Sequence, residues 1–252
     1  MSANATPDKF SYRKLVDLDQ QFDQQLKNLI KGRDLPQKES RYSFSVGKIL
    51  LRLILLLVCL VAPFVVLVRT SIFMYEHYHW NGWLALLTGV IATIILLACY
   101  GLYLTLRYGS GAGVLKYMIR GIAILVVSYT LYGLLYYSSM NTKTEDIRSY
   151  YRSLHPIMRV TLATITLANQ HLVVTDIKRK PEDYAKMGLP ENQHSLHYKQ
   201  HDGYVHAVDL RTKGRAFWKN RSLQEVLQII GLRTIRHVGT ADHLHVYLPL
   251  ND

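Results

Sequence analysis

Cysteine is nearly absent from this chain: there are two in 252 residues, Cys59 and Cys99, and both lie inside apolar runs. No disulfide framework or thiolate metal site can be built from them, and neither is placed to act as a hydrated nucleophile. Acidic residues are also scarce, 18 against 30 Lys and Arg, which leaves a formal net charge of +12. The excess is spread evenly: residues 1–48 hold 9 basic and 6 acidic side chains, 49–140 hold 5 and 1, and 141–252 hold 16 and 11. Nucleic-acid binders cluster Lys and Arg on one element. The reading is therefore no nucleic acid, and an anionic partner such as lipid headgroups or cell-wall polymer. The first 48 residues lack the basic, apolar and small-residue succession of a removable signal peptide. Gly109, Gly111 and Gly113 lack the Gly-Lys-Ser/Thr ending of a phosphate-cradling loop, so residues 107–120 read as a connection between helices.

Long apolar runs fill the middle of the chain. Residues 49–68 contain one charge, Arg52, near their start; residues 83–106 contain none; residues 121–137 form a third, shorter run. A helix of about 20 apolar residues spans a hydrocarbon core of about 30 Å, so three transmembrane helices are predicted within 49–140, with the lipid bilayer as partner. Trp80, Trp83, Tyr100, Tyr103 and Tyr108 fall where interfacial aromatics sit. The spans lack buried carboxylates, His or Lys lining a path, which argues against a transporter and for an anchor. Arg107, Lys116 and Arg120 follow the second run, whereas the first connection carries Glu76, His77 and His79 and reads as a hydrated loop. Positive loops stay in the cytoplasm, which puts the amino terminus inside and everything after Tyr137 outside. Before the spans, within residues 1–48, Leu15, Leu18, Phe22, Leu26 and Leu29 recur at spacings of three and four, the pattern of an amphipathic helix.

Residues 141–252 have the composition of a soluble domain and are enough for one modest core. Helices are predicted at 146–151 and 157–168, a strand at 171–177, and a short helix or turn at 181–187. Another helix is predicted at 222–230, with Ser222 as cap and Glu225 three residues on. Strands at 195–198, 206–210, 234–238 and 244–248 complete an α+β domain with an antiparallel sheet. His197, His201, His206, Asp209, His243 and His245 are concentrated in this part. In a strand, residues two apart share a face, so His243 and His245 point the same way. Three His or carboxylate ligands with an open fourth position are what a catalytic zinc site uses.

Ser195-Leu196-His197-Tyr198, Ala207-Val208-Asp209-Leu210 and His243-Leu244-His245 together resemble the zinc site of the superfamily of D-Ala-D-Ala peptidases, murein endopeptidases and the Hedgehog signalling domain. The resemblance covers about residues 146–250. It implies zinc held by His197, Asp209 and His245, a general base at Asp242 or at His243, and Arg179 binding substrate or stabilising the oxyanion. Asp242 stands where the family commonly has Glu. It further implies hydrolysis of an amide bond in peptidoglycan stem peptides by a domain outside a bacterial inner membrane, or else a catalytically silent Hedgehog-like zinc module binding wall peptide or a protein partner. One departure is the spacing: the family usually places His and Asp seven apart, and here they are twelve apart. The extra residues, with Gly203 among them, read as a lengthened hairpin, and whether His201 or His206 takes a ligand's place stays open.

Overall fold

A computed structural model describes residues 9–31, 46–109, 112–186, 188, 190, 192–239 and 242–251. The chain forms two compact units, residues 1–52 and 53–252. In the first, α1 (Lys9–Lys31) is the helix that the leucine spacing predicts, with Leu15, Leu18, Phe22 and Leu26 exposed along it. The side chain of Leu29 lies outside the described residues.

Among the described residues, three helices are long and apolar enough to cross a membrane: α2 (Val46–Tyr78), α3 (Gly82–Tyr108) and α4 (Ala112–Leu135). Leu50, Leu51, Leu53, Leu56, Leu57 and Leu60 on α2 are exposed in the isolated chain. A ridge of leucines this long has no place in water, and lipid is the solvent that accommodates it. The helices exceed the predicted runs at both ends of α2 and at the start of α4. Glu76 and His77 consequently belong to the last turn of α2 rather than to a loop, and the α2–α3 connection shrinks to His79, Trp80 and Asn81. Asn81 caps α3, its side chain accepting from the Leu84 N–H at 2.9 Å. Where α2 and α3 pack, a Cβ on Gly89 would collide with Ser71 Oγ and with the Leu67 carbonyl oxygen. Only glycine permits that approach, which is the small-residue packing of helices in lipid.

The segment after α4 is α+β. It holds α5 (Glu145–Ser149), α6 (Pro156–Ala168), β1 (Val174–Asp176), α7 (Pro181–Lys186), β2 (Ala207–Arg211), α8 (Phe217–Ile229), β3 (Arg233–His237) and β4 (His243–Tyr247). The sheet is antiparallel, in the order β1-β2-β4-β3. Two predicted elements differ. Ser195 to Tyr198 is a turn and not a strand, closed by the Tyr198 N–H on the Ser195 carbonyl at 3.0 Å. α8 starts at Phe217, five residues before Ser222, and its cap residue Ala216 contributes no side-chain hydrogen bond.

Leu67, Ile72 and Tyr75 of α2, Leu86 of α3 and Leu134 of α4 belong to the same buried cluster as Ile157, Leu210, Leu244 and Val246. α6 joins the two halves: Arg159, buried, donates from Nη1 to the carbonyl of Leu134 at 2.8 Å, at the carboxyl end of α4 where a cation is favoured. Near the other end of the domain, Asn251 donates to the Trp80 carbonyl at 3.1 Å, and its own carbonyl lies 3.2 Å from His79 Nδ1. The domain therefore lies at the α2–α3 turn, on the same side of the spans as the carboxyl end of α4.

Candidate metal centre

One face of the sheet packs on the core through Val208, Leu210, Leu244 and Val246, all buried. The opposite face carries the polar residues. Register pairs Asp209 with His245 and His245 with Ile235, and pairs Arg211 with His243 and His243 with His237. Directly paired residues share a face, so Asp209, His245, His243 and His237 are neighbours there.

The turn that carries His197 closes over Asp209 and His245. His197 Nδ1 lies 2.7 Å from the carbonyl oxygen of Ile177, an acceptor only, so the hydrogen sits on Nδ1 and the lone pair of Nε2 faces inward. His197 Nε2 is 3.2 Å from His245 Nδ1 and 3.4 Å from Asp209 Oδ1, and His245 Nδ1 is 2.8 Å from the same oxygen. Two metal bonds of about 2.0–2.1 Å at a tetrahedral angle place their ligand atoms roughly 3.3 Å apart. The three atoms thus fit the face of a tetrahedron around one divalent ion, and the Ile177 carbonyl supplies the outer hydrogen bond that orients metal-binding imidazoles.

The surroundings of Asp209 come from a bulge. β1 pairs Val174 with Leu210 and then, one residue out of step, Asp176 with Asp209. Bulges re-aim side chains at sites of this kind. Here the bulge brings two carboxylates together, and Arg179 bridges them, from Nε to Asp176 Oδ2 at 2.5 Å and from Nη2 to Asp209 Oδ2. Burial acts against the Arg179 charge, but Asp209 and Asp176 outweigh it and raise its pKa above the ordinary value. Burial likewise acts to raise the Asp209 carboxyl, yet the adjoining His197 and His245 imidazoles and the Arg179 charge hold it well below the usual carboxylate range. It is an anion at neutral pH. Tyr184 stacks under Arg179, 5.7 Å from its guanidinium, and donates to Ser195 Oγ at 2.6 Å. Ser195 Oγ also accepts from the His197 N–H at 3.3 Å, which fixes the turn.

The two residues considered as general base are placed differently. His243 lies on the site face, partly open to solvent, with Nε2 3.7 Å from Asp209 Oδ2. Asp242 is held elsewhere: Arg236 donates to both of its oxygens, at 3.1 and 3.0 Å, and Thr212 Oγ1 donates at 2.6 Å. The Arg236 and Thr212 hydrogen bonds lower its pKa. His201 sits on the exposed turn of the lengthened segment, and His206 is buried in a second cluster with His155 and Asp202, apart from the first. His237, which belongs to none of the three motifs, stacks on His243 with ring centroids 4.8 Å apart. The sequence places it on the predicted strand 234–238, but its position across from His243 comes from the register of β3 against β4.

Comparison of the chain with family models, with curated proteins and with solved structures finds no match.

Proposed function

We propose that this chain is a membrane-tethered zinc hydrolase that cuts an amide bond in peptidoglycan stem peptides. The observation that carries the proposal is the convergence of His197, Asp209 and His245, far apart in sequence, with their ligand atoms at the separations one divalent ion requires. Nitrogen and carboxylate donors of this kind suit zinc. Zinc bound there would supply a Lewis acid and an acidified water.

The chain's own residues divide the remaining work. Arg179 keeps Asp209 ionised and aimed, and its cationic edge beside the site suits a substrate carboxylate or a developing oxyanion. His243 is the base on the open side: it shares the ligand face, reaches solvent, and can take a proton from the attacking water and return it to the leaving amine. His237 behind it limits its rotation. The orientation that brings such a domain to the wall puts the amino terminus in the cytoplasm of a bacterial cell and residues 141–252 outside the inner membrane.

A second reading, a catalytically silent zinc module that binds wall peptide or a protein partner, draws support from Asp242. The carboxylate that stands in the place of the family's Glu is committed to Arg236 and Thr212. The deciding experiment uses the full chain in detergent, loaded with zinc and incubated with purified stem peptides and cross-linked muropeptides, with products read by mass spectrometry. Cleavage lost on His243→Ala supports the hydrolase; binding of peptide with no cleavage under any metal supports the module.

A further inference from the structure

The segment 199–206 is longer than the ligand geometry needs, and its extra residues build something of their own. Lys199 and Val205 pair as an antiparallel bridge, closed through Gln200 and a Gly203 at φ +83°. The turn delivers Asp202 and His206 to the amino end of α6, where His155 waits. His155 and His206 are fully buried, while the Asp202 side chain is 25% exposed. His206 Nε2 lies 2.9 Å from Asp202 Oδ2, and His155 Nε2 lies 3.7 Å from the same oxygen. Neither ring nitrogen of His155 has a hydrogen-bond partner among the described residues, nor does His206 Nδ1. Of these, His155 Nε2 is the one that faces Asp202, and a buried nitrogen left without a partner there is costly and calls for a ligand.

We propose that His155, Asp202 and His206 form a second divalent-metal site, of the zinc class, which clasps the lengthened loop to the start of α6 beside the membrane helices. The separations of 2.9 and 3.7 Å bracket the roughly 3.3 Å spacing of two tetrahedral ligands. Asp202 is oriented for the role: its other oxygen accepts the Tyr204 N–H at 3.0 Å, leaving Oδ2 toward the histidines, and its partial exposure supplies an access path. The membrane part forms the walls. Tyr75 of α2 packs 4.9 Å from the His155 ring and 6.2 Å from the His206 ring. A Cβ on Gly82, the first residue of α3, would collide with His155 Nε2, so only glycine leaves that nitrogen its place. The metal would join the loop to the start of α6, against walls from α2 and α3, and it is separate from the His197, Asp209 and His245 centre.

The test is metal stoichiometry on the full chain purified in detergent, stripped with chelator, reloaded with zinc alone, freed of excess and measured by elemental analysis. The wild type is expected to hold two zinc ions per chain. His155→Gln and Asp202→Asn should each hold one, and His245→Ala should also hold one. Asp202→Asn guards against a folding artefact, since that side chain is partly solvent-exposed. A wild type that binds one zinc, kept in both His155→Gln and Asp202→Asn, overturns the second site. One zinc that is lost in those variants but kept in His245→Ala upholds the second site and removes the first.

Discussion

Arg179 forms an ion pair with the buried Asp209 and also holds Asp176, so the carboxylate offered to a metal is fixed by a partner just beyond the neighbouring strand. Outer-sphere contacts of this type are worth about 10- to 100-fold in metal affinity. Arg179→Ala is expected to weaken zinc binding at the first centre by about that factor without removing it, as read by competition with a chromophoric chelator. Unchanged affinity would show that Asp209 is positioned by its strand alone.

His197→Ala, Asp209→Ala and His245→Ala should each remove zinc from the first centre, because two remaining ligands leave a poor tetrahedral site. His201→Ala should keep the metal, since His201 lies on the exposed turn. Retention of zinc in the His197→Ala protein at wild-type affinity would contradict the ligand assignment.

His243→Ala is expected to lower turnover by about 10²-fold or more with the metal content unchanged, the range for a lost general base. Asp242→Asn should leave turnover nearly intact and reduce stability instead, because Arg236 and Thr212 lose a charged acceptor. The sign of its pH dependence follows from a folded pKa held below the ordinary 3.8. The stabilisation from the ionised carboxylate is complete above that value and fades as pH falls through the depressed one. The difference in melting temperature between wild type and Asp242→Asn should thus be full at pH 7 and shrink below about pH 4. A difference that grows on acidification, or a turnover loss in Asp242→Asn equal to that of His243→Ala, counts against this division of roles.

Residues 141–252 expressed alone should aggregate or remain partly unfolded. Leu67, Ile72, Tyr75, Leu86 and Leu134 are buried in the same cluster as the domain's interior. Cutting them away exposes several side chains, each worth about 1.5–3 kcal/mol when buried. A dispersed amide spectrum from the excised domain in the absence of detergent would refute the shared core.

Gly89→Val should disrupt the α2–α3 contact. The Cβ alone would collide with Ser71 Oγ and the Leu67 carbonyl, and overpacking commonly costs about 1–3 kcal/mol. The melting temperature of the detergent-solubilised chain should fall. Gly113→Val, where a Cβ would meet nothing within 4 Å, serves as the control that should not.

Run length alone makes the three spanning helices legible, and strand alternation makes β4 legible with two imidazoles on one side. Both signals are local. His197 is found by its position in a motif, but its setting is not what the motif suggests: Ser-Leu-His-Tyr alternates like a strand, whereas its backbone closes a turn and borrows the Ile177 carbonyl from a distant segment. The start of α8 is hidden for a related reason. The capping pattern at Ser222 lies inside the helix, and the true start at Ala216 has no capping side chain to announce it. The grouping of His155 with Asp202 and His206 has no sequence signal, because it depends on α6 meeting the lengthened loop. The shared core is likewise hidden. Apolar residues on α2 that face lipid and those that face the domain are chemically alike, and only the fold separates Leu60 from Leu67.

Asn251 beside Trp80 and His79 ties the last strand back to the turn between the first two spans, while Arg159 seals the join at α4. A catalytic head on a flexible leash sweeps a hemisphere of wall as deep as its leash is long. This head has no leash. Under the proposed function its site would be held at one height above the lipid surface and would work as a fixed blade: it would meet strands only where they pass close to the bilayer, so the depth at which the wall is trimmed would be set by the protein's own packing.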